Sequence, residues 1–172
     1  LGAKAGLVGG SIEDFTGEPG QLYPIEHAKE RVAAAVEAAR AQSFPFTLTA
    51  RAENYLVSGP DLADTIARLQ AYQEAGADVL YAPALKTMDE IKSVLASIDR
   101  PLNVLMGPRD ELRAISDLAA LGVRRISLGS TLANVATDAL IKAGGELLGT
   151  GTFAFLEGMN GSQRISDLMF KR

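Results

Sequence analysis

The chain has no cysteine and no tryptophan among its 172 residues, and it has a single histidine. Without cysteine, a disulfide framework, a thiolate metal site and a catalytic thiol are all excluded. The one histidine, His27, stands at the start of a polar helical pattern, where a solvated surface residue is expected rather than a catalytic base. The sequence therefore points away from thiol and histidine chemistry.

The chain also has fewer basic than acidic residues, 17 Lys and Arg against 21 Asp and Glu, which gives a net charge of -4. A phosphate-binding surface would need clustered positive charge, so a nucleic-acid partner is not expected. No apolar run approaches the roughly 20 residues that cross a bilayer, and no signal peptide opens the sequence. We expect a cytoplasmic protein with no membrane partner, whose partners are small molecules or other proteins.

Strand-like runs alternate with helical patterns five times along the chain. The predicted strands cover residues 7–14, 47–53, 78–82, 102–107 and 125–129, and the predicted helices cover 25–42, 61–75, 88–98, 110–121 and 132–148. This alternation implies βαβ units and a parallel sheet. A doubly wound sheet and a barrel both fit the alternation.

The faces of the predicted strands favour the barrel. The second strand is apolar on one face and becomes charged on the other, through Phe46, Thr47, Leu48, Thr49, Ala50, Arg51, Ala52 and Glu53. Helices on one side and a polar lumen on the other are typical of a (β/α)8 TIM barrel, whose active site lies at the C-terminal ends of the strands. We predict one α/β domain over residues 1–172, with βα units at 7–150 and a subunit-contact or capping tail at 151–172.

Charged residues at the ends of the first two strands are the main candidates for chemistry. Glu13 falls on the lumen face as a metal-water ligand or proton-transfer carboxylate, or else as a helix cap or ion-pair partner. Arg51 and Glu53 share one face of the second strand. An arginine there can bind a carboxylate or phosphate bidentately, and it can also neutralise Glu13 or Glu53. The turn-rich segment 15–20 could move over the site.

The last two predicted strands each end in a glycine. These are Gly107 and Gly129, and Ser130 follows Gly129. Barrels often bind phosphate at this place through backbone N–H groups, although a glycine at a strand end is more often a plain turn. Arg124 and Arg125 form a short basic pair, for which a solvated or ion-paired face is expected.

Four motifs in series, Gly9 to Asp14, Thr49 to Glu53, Ala75 to Asp78 and Gly122 to Ser127, resemble the isocitrate lyase/phosphoenolpyruvate mutase family. The similarity spans roughly residues 1–155 and corresponds to the fourth through eighth strands of that family's barrel. The resemblance implies a TIM barrel of the phosphoenolpyruvate mutase type, with the first three strands lying outside this chain.

The resemblance also implies Mg²⁺ as cofactor, a small 2-oxo acid as substrate and a homo-oligomer. It assigns Glu13 to the metal through water and Arg51 to a substrate carboxylate or phosphonate, and both are candidate catalytic residues. Glu53, Asn103, Gly107 and Ser130 complete the predicted substrate-binding set. The family's direct metal-binding aspartates belong to the missing strands, so we expect this chain alone to be inactive and to bind Mg²⁺ weakly.

The chain departs from the family's tricarboxylate lyases in several places. Residues 15–23 lack the Cys and His of their Lys-Arg-Cys-Gly-His loop, Ala82-Pro83-Ala84 replaces a carboxylate, and Leu105-Met106 replaces Thr-Glu. We therefore expect a lyase or phosphonomutase-like enzyme that breaks a C–C or P–C bond through an enolate-like intermediate. A sugar-phosphate-binding barrel and a non-catalytic barrel fragment are the alternatives.

Overall fold

A single parallel sheet forms the centre of the fold. The computed structural model describes residues 1–107 and 114–170. Its strands are β1 (Gly9–Glu13), β2 (Thr47–Arg51), β3 (Val79–Tyr81), β4 (Leu102–Leu105) and β5 (Arg125–Ser127). Every neighbouring pair is parallel, and each strand pairs with the next one along the chain. A doubly wound sheet would reverse its strand order at a switch point, so the sequential order confirms the barrel-type arrangement.

Helices follow the strands in the predicted alternation. They are α1 (Ile25–Arg40), α2 (Asn54–Val57), α3 (Leu62–Glu74), α4 (Met88–Leu95), α5 (Ile115–Leu121), α6 (Thr131–Gly149) and α7 (Gly161–Phe170). Short 3-10 turns lie at Ala3–Ala5 and Ala154–Leu156. The predicted start of the fourth helix, residues 110–113, lies outside the described residues. Among the described residues, no helix has the length and apolar character needed to span a membrane.

The hydrophobic core lies between the sheet and the helices. Leu48, Ala50 and Ala52 of the second strand region are buried, as the alternation predicts, together with residues of the helices such as Leu69, Tyr72, Ile91 and Val94. The other face of the sheet carries Thr49 and Arg51 and borders a cavity. The two-residue period of the strands therefore separates core from lumen.

Helix ends follow the capping chemistry of the sequence. The side chain of Asp61 accepts a hydrogen bond from the Asp64 N–H at the start of α3. Thr87 and Glu90 form a capping box at the start of α4. Gly122 ends α5 with φ of 98°, a left-handed conformation that a residue with a Cβ rarely adopts.

Two elements were not anticipated. The one-turn helix α2 begins at Asn54, just after the predicted strand end at Glu53, where the sequence predicted no element. The tail at 151–172, for which the sequence predicted a subunit-contact or capping role but no helix, contains a regular helix, α7, whose Ile165, Leu168 and Met169 recur at helical spacing. The helix has only ten residues and lies in a polar stretch, so its helical periodicity is too weak to predict it from the sequence.

Internal contacts divide the chain into two compact units, Leu1–Gly129 and Ser130–Arg172. The second unit holds α6 and α7. Within it, Glu146 accepts hydrogen bonds from the Thr152 hydroxyl and from the backbone N–H groups of Ala154 and Phe155, so this carboxylate organises the turn after α6. The single domain with a tail from residue 151 stays a prediction.

Candidate active site

The lumen face of the sheet borders a cavity of about 610 Å³, within the size range of ligand pockets. Alternate residues of all five strands line it, because side chains on a strand point to opposite faces in turn. The polar and charged members are Ser11, Thr47, Thr49, Arg51, Tyr81, Asn103, Arg125 and Ser127.

Arg51 occupies the C-terminal end of β2 and joins two carboxylates. Its Nε and Nη2 both lie 2.7 Å from Glu53 Oε1, and its Nη1 lies 3.4 Å from Glu13 Oε2. Its Cζ is 5.0 Å from the centre of the Tyr81 ring. The structure thus brings together three residues predicted for the site, Arg51, Glu53 and Glu13, which we call the trio. It also shows that Arg51 neutralises both carboxylates.

The two carboxylates differ in environment. Glu53 is buried beside Arg51, whereas the side chain of Glu13 is 42% exposed. Burial raises the pKa of the Glu53 carboxyl, and the neighbouring charges of Glu13 and Asp14 act in the same direction while Arg51 opposes them. The ionised form of Glu53 is therefore less favoured than that of an exposed carboxylate.

Asp14 is adjacent to Glu13 in sequence but faces the opposite side of the strand end. Its Oδ1 accepts a hydrogen bond from the Glu53 N–H at 2.9 Å, and its Oδ2 accepts from Arg68 and Tyr72. This buried carboxylate therefore anchors the backbone that carries Glu53, and it is a positioning residue rather than a ligand-binding one.

Asn103 on β4 lies in the cavity wall and is 1% exposed. Its Nδ2 donates to Ser127 Oγ at 2.9 Å, while its Oδ1 is buried and has no hydrogen-bond partner among the described residues. Buried polar atoms are nearly always paired, and an orphan costs about 1–3 kcal/mol. An unpaired amide end at a cavity wall is typical of a ligand-binding position.

Arg125 is a cavity residue that the sequence analysis missed. The structure places it in the cavity lining, with Nη1 3.4 Å from the Thr49 hydroxyl across the lumen. The signal was available, because Arg125 alternates with Ile126 and so shares a face with Ser127. Its neighbour Arg124 made the pair look like a solvated basic patch.

Tyr81 is close enough to Arg51 and Arg125 for both charges to act on its hydroxyl. Burial raises the pKa of the Tyr81 hydroxyl, against the effects of Ser127 and the two arginines. Tyr81 therefore stays a neutral hydrogen-bonding group at physiological pH.

The two remaining predicted residues do not join the trio. Gly107 follows the end of β4 and is absent from the cavity lining, although Gly129 is part of it. Ser130 begins the second unit and precedes α6, where its hydroxyl accepts a hydrogen bond from Asn134. Their substrate-binding roles stay predictions.

Segment 15–22 forms a short hairpin rather than an open loop. Phe15 and Leu22 pair in an antiparallel bridge, and the Thr16 hydroxyl donates to the Gln21 carbonyl. The Gln21 N–H donates to Glu18, and Gly20 between them has φ of 74°. The hairpin has its own hydrogen bonds, and the predicted movement over the site stays a prediction.

These residues supply only part of the ligand set that a metal ion needs. The described residues include no group of three His, Asp or Glu side chains that could hold one. Glu13 is the half-exposed carboxylate of the trio, and a half-exposed oxygen fits contact with a hydrated Mg²⁺ through water. The donor set therefore fits the supporting role implied for Glu13, and not a complete metal site.

The chain is similar to several known proteins. Residues 2–148 match the family model described as phosphoenolpyruvate phosphomutase. The chain is 33% identical over 142 residues to an oxaloacetate decarboxylase of Rhodopseudomonas palustris (strain BisB18), covering 79% of this chain and 48% of the relative. The chain thus spans about half the length of that curated relative.

Two solved structures from Burkholderia cenocepacia J2315 are also similar. A candidate lyase/mutase has a TM-score of 0.91 and 50% identity, covering 98% of this chain and 61% of that one. A candidate phosphonomutase has a TM-score of 0.74 and 31% identity, covering 87% of this chain and 60% of that one. The matched barrel confirms the predicted fold, and the matched family confirms the resemblance seen in the motifs. This chain belongs to the phosphoenolpyruvate phosphomutase family.

Proposed function

We propose that the protein is a Mg²⁺-dependent lyase or phosphonomutase-like enzyme acting on a small 2-oxo acid, with Arg51 binding the substrate's anionic group. The observation that carries this proposal is the position of Arg51 at the C-terminal end of a barrel strand, where barrel enzymes place their active sites. Its guanidinium is held in one orientation by Glu53 and Glu13.

The contacts of Arg51 leave part of its guanidinium fork available to a ligand. Glu53 contacts the Nε and Nη2 atoms of Arg51 through a single oxygen, Oε1, which fixes that edge of the guanidinium. The Nη1 atom is held less tightly, because its contact with Glu13 Oε2 is longer, at 3.4 Å. A planar fork with a preset orientation binds a carboxylate or phosphonate with two parallel hydrogen bonds. Holding the anion in this way orients the reacting part of the substrate.

Charge balance at this place depends on a cation beside the carboxylates. Two ionised carboxylates beside one arginine would repel an anion. A cation near Glu13 would reduce that repulsion.

Mg²⁺, when bound, polarises the 2-oxo group and stabilises the negative charge that develops there. Glu13 would hold the hydrated ion through water, and Arg51 would keep Glu13 oriented from the other side. Asn103 and Ser127, linked by their hydrogen bond, would contact the substrate from the opposite wall.

The relatives support this class of chemistry. One is named for the decarboxylation of oxaloacetate and another for phosphonate chemistry. Both activities cleave a bond next to a position where an enolate-like charge can be stabilised. One experiment with a substrate of each kind can therefore distinguish C–C bond cleavage from P–C bond cleavage.

The experiment is to incubate the whole protein and Mg²⁺ with oxaloacetate and, separately, with phosphonopyruvate, and to follow products by ¹H and ³¹P NMR. We expect turnover of one of them that stops on chelation of the metal. Glu13→Gln should reduce that turnover by at least an order of magnitude, since it removes the charge that supports the ion. Turnover that is indifferent to both chelation and Glu13→Gln would show that the proposal is wrong.

Inorganic phosphate serves as the comparison ligand in the same experiment. If the protein binds phosphate tightly but turns over no 2-oxo acid, the sugar-phosphate interpretation replaces the present one.

A further inference from the structure

Tyr81 contributes a phenol to the cavity wall, and the roles proposed above do not use it. It pairs with Arg51 in the register of β2 and β3, and with Asn103 in the register of β3 and β4. The centre of its ring is 5.0 Å from Arg51 Cζ. A ligand that Arg51 binds in the cavity therefore lies next to Tyr81.

The hydrogen bonds beside Tyr81 share one direction. Asn103 Nδ2 donates to Ser127 Oγ at 2.9 Å, which leaves the proton of the Ser127 hydroxyl for another acceptor. Ser127 is also a hydrogen-bonding neighbour of Tyr81, and it acts to lower the pKa of the Tyr81 hydroxyl, as a donor does because it stabilises the phenolate. With Ser127 donating to its oxygen, Tyr81 keeps its own proton for a group in the cavity.

Tyr81 differs in acidity from the other protic residues of the described lining. A phenol has an ordinary pKa of about 10, and burial raises the pKa of Tyr81, so its hydroxyl is protonated at neutral pH. Arginine does not release its proton in proteins, and serine and threonine hydroxyls are much weaker acids than a phenol. The chain has no cysteine, and His27 is exposed and not part of the cavity lining. Tyr81 is thus the described lining residue best suited to donate a proton and to take it back.

We infer that Tyr81, held in place by Ser127, is a catalytic residue that donates a proton to carbon, so that the reaction ends with a new C–H bond on the 2-oxo acid product. This inference rests on the proposed function, in which Arg51 binds the substrate.

The proton balance of this step is simple for the loss of CO₂ from oxaloacetate. The C–C bond breaks, CO₂ leaves, and the electron pair stays on the remaining fragment as an enolate. The carbon of the enolate takes the Tyr81 proton, and the phenolate oxygen then takes a proton from water. An enolate carbon is a strong base, so a weak acid that stays protonated at neutral pH can donate to it. Rearrangement of phosphonopyruvate within one molecule forms no C–H bond and needs no such donor.

The test isolates the proton transfer by observing it in reverse. The whole protein and Mg²⁺ are incubated with pyruvate in D₂O, and the loss of the methyl signal is followed by ¹H NMR. We expect the methyl hydrogens to exchange for deuterium. Tyr81→Phe should slow this exchange by about a hundredfold, the contribution of a typical general acid or base.

Binding of oxalate shows whether Tyr81→Phe keeps the site intact. Oxalate is an unreactive planar dianion that resembles the enolate of pyruvate. Its dissociation constant, measured by calorimetry with Mg²⁺ present, should change by less than about threefold, because the variant keeps the ring. Loss of oxalate binding together with exchange would mean that Tyr81 only shapes the site, and would overturn the inference.

Tyr55→Phe is the matched control. It removes the same hydroxyl from α2, where the Tyr55 hydroxyl donates to Glu90 Oε1 at 3.1 Å, outside the cavity lining. We expect the exchange rate of the parent protein in this variant. An equal loss of exchange in Tyr55→Phe and Tyr81→Phe would overturn the assignment of Tyr81.

Other outcomes separate this inference from the proposed function. If the parent protein turns over oxaloacetate or phosphonopyruvate but does not exchange pyruvate, the inference is refuted and the proposed function stands. If it does neither, both are refuted. If Tyr81→Phe does not fold, judged by circular dichroism, Ser127→Ala is measured in its place. That variant should also slow the exchange, and an unchanged rate overturns the inference.

Discussion

Arg68 of α3 donates a hydrogen bond from Nη1 to Oδ2 of Asp14 at 3.0 Å, and both side chains are almost entirely withdrawn from solvent, with 9% and 1% exposed. The same Asp14 oxygen accepts from the Tyr72 hydroxyl at 2.5 Å. This buried pair lies behind the candidate site, where Asp14 also receives the Glu53 N–H. Adjacent acidic residues of one motif thus have separate tasks: Glu13 faces the lumen, and Asp14 connects the strand end to the helix layer.

Replacing Asp14 with Asn should destabilise the protein strongly. The substitution leaves the Arg68 charge with Asp64 as its carboxylate partner and the Tyr23 carbonyl as a neutral one. Breaking a buried pair in this way typically costs about 3–5 kcal/mol. Urea denaturation followed by circular dichroism measures the change in the free energy of unfolding. Asp64→Asn is the control, because Asp64 is 31% exposed and its pair with Arg68 is partly solvated. Losses of equal size in the two variants would contradict the assignment of Asp14 as the buried anchor.

Arg51→Lys should lose substrate affinity although the charge is kept. A lysine ammonium cannot hold Glu53 and Glu13 in the geometry of the guanidinium while also binding an anion with two parallel hydrogen bonds. We expect KM to rise by roughly tenfold or more, equivalent to about 1.4 kcal/mol. Steady-state kinetics on the whole protein gives the result, with Arg124→Lys as the control. Unchanged KM and kcat in Arg51→Lys would show that Arg51 does not belong to the substrate-binding site.

Acid should remove a contribution to stability that comes from Asp78. Burial acts to raise the pKa of its carboxyl, but two hydrogen bonds from Arg40 and one from the Leu48 N–H outweigh it and lower the pKa below the usual 3.8. A lowered folded-state pKa stabilises the protein above the unfolded-state value, and this stabilisation is lost as the pH falls through the folded-state value.

The measurement for Asp78 is the free energy of unfolding between neutral pH and the region below pH 3.8. Asp78→Asn should flatten the decline, since its side chain no longer titrates. Asp89→Asn, with a side chain that is 95% exposed, is the control. A decline that stays as steep in Asp78→Asn as in the parent protein would contradict the prediction.

The capping box at the start of α4 should contribute measurably to stability. The Glu90 N–H donates to the Thr87 hydroxyl at 3.2 Å, and the Glu90 carboxylate accepts from the Thr87 N–H at 3.0 Å. Thr87→Ala should cost about 1 kcal/mol, whereas Thr87→Ser keeps the hydroxyl and should cost much less. Chemical denaturation compares the two, and equal losses would show that the hydroxyl contributes nothing.

Mg²⁺ should bind weakly to the 172-residue chain taken by itself. Among the described residues Glu13 offers one half-exposed carboxylate, and no cluster of three acidic or histidine ligands accompanies it. Octahedral Mg²⁺ keeps most of its water in such a place. Isothermal titration calorimetry of the parent chain and of Glu13→Gln is the measurement. Tight, stoichiometric binding would refute the supporting role of Glu13.

Much of the architecture could be predicted from the sequence because it depends on local patterns. The period of two in Thr47 to Glu53 separates core from lumen whatever the rest of the fold does. Asp61 and Gly122 marked helix ends because side-chain capping and positive φ are decided within a few residues. Arg51, Glu53 and Glu13 were recognisable as one site because parallel neighbours bring their C-terminal ends to the same edge.

Only the tertiary structure decided which of these residues are partners. The sequence by itself determined that Glu13 and Asp14 point to opposite sides, but it could not show that Arg68, 54 positions later, neutralises Asp14. Its alternation gives Arg125 the same strand face as Ser127, but it predicted a solvated or ion-paired residue there, and the contact with Thr49 joins residues 76 positions apart. Such contacts depend on how strands and helices close around one another, which no local pattern records. The burial that raises the pKa of Glu53 and encloses Asn103 Oδ1 likewise exists only once the strands and helices have packed together.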